Sequence, residues 1–187
     1  MKVVSGSLKG KSLKTLKGLD IRPTPNKVKE ALFNILGDKI IDARFLDLFA
    51  GTGNVGIEAM SHGAGEVLFV DNDKRAVQLI RENLERCGIK EQCEIVSQDG
   101  IDFLKAMKKN PQKFDLIFLD PPYHTSSGES AMEEIGKADI LEKDGLVILE
   151  HFHKMEIKET YGILRRYRER RFGDTCLSFF DKEQEEQ

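Results

Sequence analysis

Phe45-Leu46-Asp47-Leu48-Phe49-Ala50-Gly51-Thr52-Gly53-Asn54-Val55-Gly56 joins a short apolar run to a glycine turn and then to the start of a helix. A run this apolar keeps no face for solvent, which predicts a strand of a mostly parallel sheet covered on both sides. Gly51 and Gly53 remove side chains where backbone must approach a ligand, and Gly56 lets the helix pack closely on its strand. The unpaired N–H groups of a helix start point into the same space. Glu66 to Val70 forms the next apolar run, and Asp71 follows it, twenty residues beyond Gly51. That is the spacing at which an acid holds the hydroxyls of a ribose.

The alternation continues on both sides of this unit. Further strands are expected at Glu94 to Val96, Phe114 to Leu119 and Leu146 to Leu149, with helices at Val55 to His62, Lys74 to Arg86, Ile101 to Lys108 and about Ser130 to Ile135. This βα repetition predicts an α/β, Rossmann-like fold. Tyr161 to Arg171 and Thr175 to Phe180 read as two strands joined through Gly173-Asp174, a hairpin closing the sheet edge. At the other end, Val3 to Ser5 and Ser12 to Leu16 read as a small β-hairpin. A helix from Lys27 to about Leu36 follows, capped by Thr24 or Asn26, with Val28, Ala31, Leu32 and Ile35 on its apolar face and Gly37 ending it. The expected organisation is one domain: a basic hairpin and helix extension over 1–40, a core over 44–180 and an acidic tail over 181–187.

Asp120-Pro121-Pro122-Tyr123 follows the strand Phe114 to Leu119, at the carboxyl edge where sites of open α/β sheets lie. The amine of a nucleic-acid base is a weak nucleophile because its lone pair is drawn into the ring. Asp120 and the Pro121 carbonyl supply two acceptors for its hydrogens, and the prolines fix the turn without a competing N–H. Pro122 completes that turn, and Tyr123 offers a face for a base withdrawn from its stack. These four are the candidate catalytic residues, and methyl transfer to an exocyclic amine is the chemistry they fit.

Two acids turn the nucleoside pocket from a nicotinamide cofactor toward S-adenosyl-L-methionine. Asp47 stands near the strand edge, where it can orient a cationic amino-acid moiety, and Asp99 ends the third strand within reach of an adenine amine; a helix cap is the plain alternative for Asp99. The candidate cofactor residues are thus Asp47, Phe49, Ala50, Gly51, Thr52, Gly53, Asp71, Asn72, Asp99 and Gly100.

The chain of 187 residues carries 33% charged residues and a net charge of −3, which fits a globular protein rather than a disordered one. No apolar run approaches the ~20 residues that cross a bilayer, and no secretory leader is evident, so the cytoplasm is the expected setting. Cys87, Cys93 and Cys176 make neither a metal-ligand spacing nor a disulfide framework. His151 and His153 flank Phe152 without a third ligand, so a metal is not expected. Charge is polarised: Met1 to Glu30 holds eight Lys or Arg against two acids, and Lys154 to Arg171 seven against three. Such segments suit a polyanion. Lys9, Lys11, Arg22, Thr24, Arg165, Arg168 and Arg170 are the candidate RNA contacts.

Taken together, several stretches resemble the small bacterial 16S ribosomal RNA guanine-N2 methyltransferases of the class I S-adenosylmethionine-dependent fold. They are Gly6, Lys9-Gly10-Lys11, Arg22-Pro23-Thr24, Lys27 to Asn34, Asp47 to Gly56, Glu58-Ala59, Gly63-Ala64, Asp71, Asp99, Asp120 to Tyr123 and Glu150-His151. The resemblance implies a seven-stranded sheet with its last strand reversed, S-adenosylmethionine as donor, and a guanine N2 of 16S rRNA as target, in naked RNA or a small-subunit assembly intermediate. It also places Arg22-Pro23-Thr24 over the site. Lys9, Lys27 and Lys29 stand where that family more often has arginine, Asn26 where aspartate is common, and Gly100 where alanine is familiar.

Three rival readings differ in what they leave idle. A DNA adenine-N6 methyltransferase shares the acceptor geometry but lacks an evident target-recognition segment. A nicotinamide-dependent reductase leaves Asp120 to Tyr123 without work. A non-catalytic RNA-binding module needs neither Asp47 nor the glycine turn.

Overall fold

Strand alternation decides which helices cover which face of the sheet. Phe45, Val67, Phe69, Leu116, Phe118, Leu146 and Ile148 point to one side and pack with Val28, Leu32, Phe33, Ile57 and Ile80. Leu46, Leu48, Leu68, Val70, Ile117, Leu119, Val147 and Leu149 point to the other, against Phe103, Leu104, Ala131, Met132 and Ile135. Both faces of each central strand are therefore apolar, as a covered parallel sheet requires. The computed structural model describes residues 1–15, 24–109, 111–122 and 125–183.

Among these, helix α1 (Asn26–Leu36) precedes the sheet, followed by a single 3-10 turn, Gly37–Ile40. Then β1 (Arg44–Leu48), α2 (Asn54–Ser61), β2 (Glu66–Asp71), α3 (Lys74–Cys87), β3 (Cys93–Ser97), α4 (Gly100–Met107), β4 (Phe114–Leu119), α5 (Ser127–Lys137) and β5 (Leu141–Phe152) alternate. The strands β6 (Thr160–Tyr161), β7 (Leu164–Phe172) and β8 (Thr175–Lys182) complete the sheet, in the order β3-β2-β1-β4-β5-β8-β7-β6. Strands β1 to β5 are parallel, and β8 runs antiparallel to both β5 and β7. The reversed last strand is present.

Among the described residues the sheet has eight strands rather than seven. The expected strand from Tyr161 is interrupted at Gly162, whose φ is 57°. The chain there packs backbone to backbone on α5, where a Cβ added at Gly136 would lie 2.0 Å from the Tyr161 carbonyl oxygen. Two residues, Thr160 and Tyr161, form the extra strand. At the amino terminus the expected hairpin is reduced to one antiparallel bridge, Lys2 to Ser12, with Val3 N–H donating to the Lys11 carbonyl; Leu16 lies outside the described residues.

Helix α1 also departs from expectation. Pro25 is its N-cap and no side chain caps it, because Thr24 and Asn26 are not at that position. Its buried stripe is Val28, Lys29, Leu32, Phe33 and Leu36, displaced from the expected one by the presence of Lys29. Gly37 ends the helix at φ 53°. Strand β5 begins five residues before Leu146, since exposed Glu142, Lys143 and Asp144 hide its start from hydropathy.

Candidate active site

The strand order reverses between β1 and β4. Helices α2 and α3 carry the chain away from β1 on one face, while α4 and α5 return it on the other. A crevice opens beyond the carboxyl ends of the two strands at such a point. The glycine turn follows β1 there, and Asp120 follows β4, its N–H donating to the Leu48 carbonyl at 3.4 Å.

The turn itself is held by acids. Phe49 (φ 63°), Gly51 (54°) and Gly53 (71°) take left-handed backbone, which costs a non-glycine residue such as Phe49 free energy. Asp71 Oδ2 accepts from Gly51 N–H at 2.7 Å and its Oδ1 from Asp73 N–H at 2.9 Å. Asp47 Oδ2 accepts from Gly56 N–H at 2.8 Å, in the first turn of α2. Asn83 of α3 donates to the Thr52 carbonyl at 3.0 Å. Ala50 and Thr52 are buried, and Asn72 is exposed. Asp99 caps α4 through Oδ1, which accepts from Ile101 and Asp102 N–H. Gly100 lies against Phe49, whose ring a Cβ there would meet at 3.0 Å. The structure thus gathers the expected Asp47, Phe49 to Gly53, Asp71, Asp99 and Gly100 along one edge.

The register adds what spacing did not show. Asp47 pairs with Phe118 and Leu119 with Leu149, so the next residues on β4 and β5, Asp120 and Glu150, stand side by side. Asp47, Asp120 and Glu150 all follow the parity of Phe45, Phe118 and Ile148, toward α1 and α2. The neighbouring carboxyls of Glu150 and Asp47 add to the effect of burial on the proton affinity of Asp120. Burial first, then Asp71, lifts Asp47 to about 8. Burial first, then Glu150 and Asp47, holds Asp120 well above the usual carboxylate range. Asp71 is raised as well, by burial and by Asp73. An edge lined by the carboxyls of Asp47, Asp71 and Asp120 suits a cation better than a pyrophosphate.

Asp120 is half-buried at the mouth, Pro121 is buried and Pro122 is exposed. Helix α5 supports this turn: Gly128 packs on Pro121, and the Thr125 hydroxyl donates to the Pro122 carbonyl at 2.8 Å. Tyr123 and Arg22 lie outside the described residues. Thr24 is buried, with its hydroxyl donating to Glu150 Oε2 at 2.9 Å. It is not open to a polyanion, which corrects its place among the RNA contacts.

The remaining basic candidates divide by position. Lys9 and Lys11 are exposed. Arg170 pairs across β8 with Leu177, the partner of Glu150, so it is level with the site. Arg168 is half-buried. Arg165 pairs with Asp181 near the opposite end of the strand and contacts Glu183 at 3.2 Å. His151 is buried against Ser178 (2.9 Å) and burial lowers its pKa, while His153 contacts the Asp174 backbone. Among the described residues no cluster of His, Cys, Asp or Glu could hold a metal, and no helix is long and apolar enough to cross a membrane. The three cysteines are free thiols. A depression of about 360 Å³ between Lys39, Asp115 and Glu142 lies at the amino ends of β4 and β5, away from these acids.

Sequence reasoning missed the side chains behind the turn. Lys29 is completely buried between Asn54 and Glu58. Its signal was position: Lys29 shares a helix face with Leu32, Phe33 and Leu36, a placement that a solvated lysine does not take.

Residues 1–181 match the family described as Conserved hypothetical protein 95. YlbH of Bacillus subtilis (strain 168), to which rRNA methyl transfer is ascribed, is 39% identical over 97% of this chain and 99% of its own length. Ribosomal RNA small subunit methyltransferase D of Haemophilus influenzae is 36% identical over 80% of this chain and 78% of its own. A solved Escherichia coli structure, yhhF, to which methyl transfer is likewise ascribed, has a TM-score of 0.86 at 27% identity, covering 98% of each chain. With the whole sheet and the acid-lined edge inside that match, the chain belongs to the conserved hypothetical protein 95 family, the small bacterial 16S rRNA (guanine-N2)-methyltransferases of the class I fold.

Proposed function

We propose that this protein transfers a methyl group from S-adenosyl-L-methionine to N2 of a guanine in 16S rRNA, taken as naked RNA or as a small-subunit assembly intermediate in the cytoplasm. One observation carries the reading: Asp120 and the glycine turn meet at the switch point, on the face where Asp47 and Glu150 also stand. The names of the relatives YlbH and methyltransferase D point to the same substrate class.

When bound, the donor supplies an electrophilic methyl group on positively charged sulfur. In this reading Asp71 would accept from the ribose hydroxyls, the Gly51 to Gly53 turn would leave room for the nucleoside, and Asp47 would orient the cationic end. Asp99 keeps its helix cap through Oδ1, and its other oxygen would accept from the adenine amine. Asp120 and the Pro121 carbonyl accept the two amine hydrogens of the guanine and turn nitrogen density toward the methyl carbon. As the N–C bond forms and the C–S bond breaks with its electron pair on sulfur, nitrogen loses one proton, to Asp120 or to water. Fixed acceptors cost no reorganisation at that moment, which is where their contribution lies.

A nicotinamide cofactor would bring a pyrophosphate into this acid row, which disfavours it. Calorimetry tests the choice: S-adenosylhomocysteine should bind and NAD should not, and the reverse preference ends the proposal. Labelled methyl donor with undermodified 16S rRNA or small subunits should then mark guanine N2. Label at adenine N6 in DNA instead would favour the DNA methyltransferase.

A further inference from the structure

Lys29 donates to Asn54 Oδ1 at 2.7 Å, Glu58 Oε2 at 3.0 Å and the Lys2 carbonyl at 3.2 Å. Glu58, equally buried, also accepts from the N–H groups of Val4 and Ser5. An interior ion pair is seldom better for stability than apolar side chains of the same volume, because both ions leave water. What the pair adds is direction. An ammonium only donates, so it fixes the Asn54 amide with its oxygen inward and its nitrogen outward. That nitrogen donates to the Thr24 carbonyl at 3.4 Å, and the Thr24 hydroxyl donates to Glu150 at 2.9 Å.

Asn54 is the first residue of α2, directly after the glycine turn. The polar run therefore begins behind the turn that follows β1 and ends on β5, with β4 and Asp120 between them. Removing the ammonium would free the amide to rotate and set two oxygens, Asn54 Oδ1 and the Thr24 carbonyl, against each other.

We propose that Lys29, Asn54 and Thr24 are positioning residues that hold the glycine turn and Glu150 at a fixed separation across Asp120. The inference rests on the methyl-transfer reading for its kinetic consequences, but not for its binding ones.

Two sets of variants test it. Thr24→Val should lower kcat about tenfold while leaving S-adenosylhomocysteine affinity within roughly twofold, and Thr24→Ser should restore kcat. Asn54→Asp, which keeps the acceptor for Lys29 and loses the donor to Thr24, should show the same loss of kcat. The double variant Lys29→Met/Glu58→Gln leaves no unpaired charge in the interior. It should keep its thermal midpoint yet bind S-adenosylhomocysteine about fivefold or more weakly, because the turn loses its anchor. Wild-type affinity in a folded double variant overturns the proposal, as does unchanged kcat in Thr24→Val. If the double variant fails to fold, Asn54→Ser replaces it in the binding arm, with the same expectation. If the wild type methylates no nucleic acid, the functional reading fails, and the binding arm still decides the positioning role.

Discussion

At the scale of single residues, burial holds the carboxyls of Asp47, Asp71 and Asp120 toward a form that water would not favour. Asp120→Ala removes an acceptor used mainly in the transition state. Its turnover should fall by about a thousandfold, while S-adenosylhomocysteine affinity measured by calorimetry stays within about threefold; equal losses in both would show a binding role instead. Asp47 makes a different statement, because its carboxyl is lifted from 3.8 to about 8. Across that window the unfolded chain gives up the proton and the folded chain keeps it, so stability falls as pH rises and is level above about 8. Asp47→Asn retains an acceptor for Gly56 N–H and escapes this cost. At pH ~8.5 it should be more stable to urea than wild type, on the order of a few kcal/mol, and should bind the cationic donor more weakly. In the wild type, donor affinity should rise from about pH 6 to about pH 8, with proton release visible in buffers of differing ionisation enthalpy.

At the scale of elements, most boundaries were legible because local and tertiary demands agree. Phe114–Leu119 is apolar except for Asp115 and its strand has those bounds, and Lys74–Cys87 begins at the Asp73 cap and ends at Gly88 in left-handed backbone. The glycine turn was legible for the same reason, since spacing alone demands close approach. Lys29, the Glu150 neighbour of Asp120 and the β6 strand were not, because each depends on a partner distant in sequence: Glu58, the β4–β5 register, and Gly136 of α5. Gly56 shows how tight such partnerships are. A Cβ there would lie 2.2 Å from Phe69 Cε1 and 3.0 Å from Asp47 Oδ2. Gly56→Ala should therefore destabilise the protein by about 1–3 kcal/mol in urea melts and weaken donor binding as α2 shifts off β2.

At the scale of the whole molecule, the net charge of −3 conceals where cations gather relative to the crevice. Arg170 and exposed Arg171 lie toward its level, while Arg165 sits at the far end beside Glu183. Filter binding of 16S rRNA across a salt series should show a logarithmic slope shallower by about 0.7 to 0.9 for each phosphate that Arg170→Ala or Arg171→Ala leaves unneutralised, with Arg165→Ala unchanged. The amino-terminal thirty residues contribute to the same molecule in a less visible manner, through one interior cation. A version trimmed to begin at residue 41 would lose Lys29 together with Val28, Leu32 and Phe33, opening the apolar face around Glu58 to water. Such a trimmed polypeptide should emerge aggregated or molten, with its near-UV circular dichroism lost. The catalytic half cannot be harvested as a stand-alone module, because its leading segment supplies the counter-ion that its second helix requires.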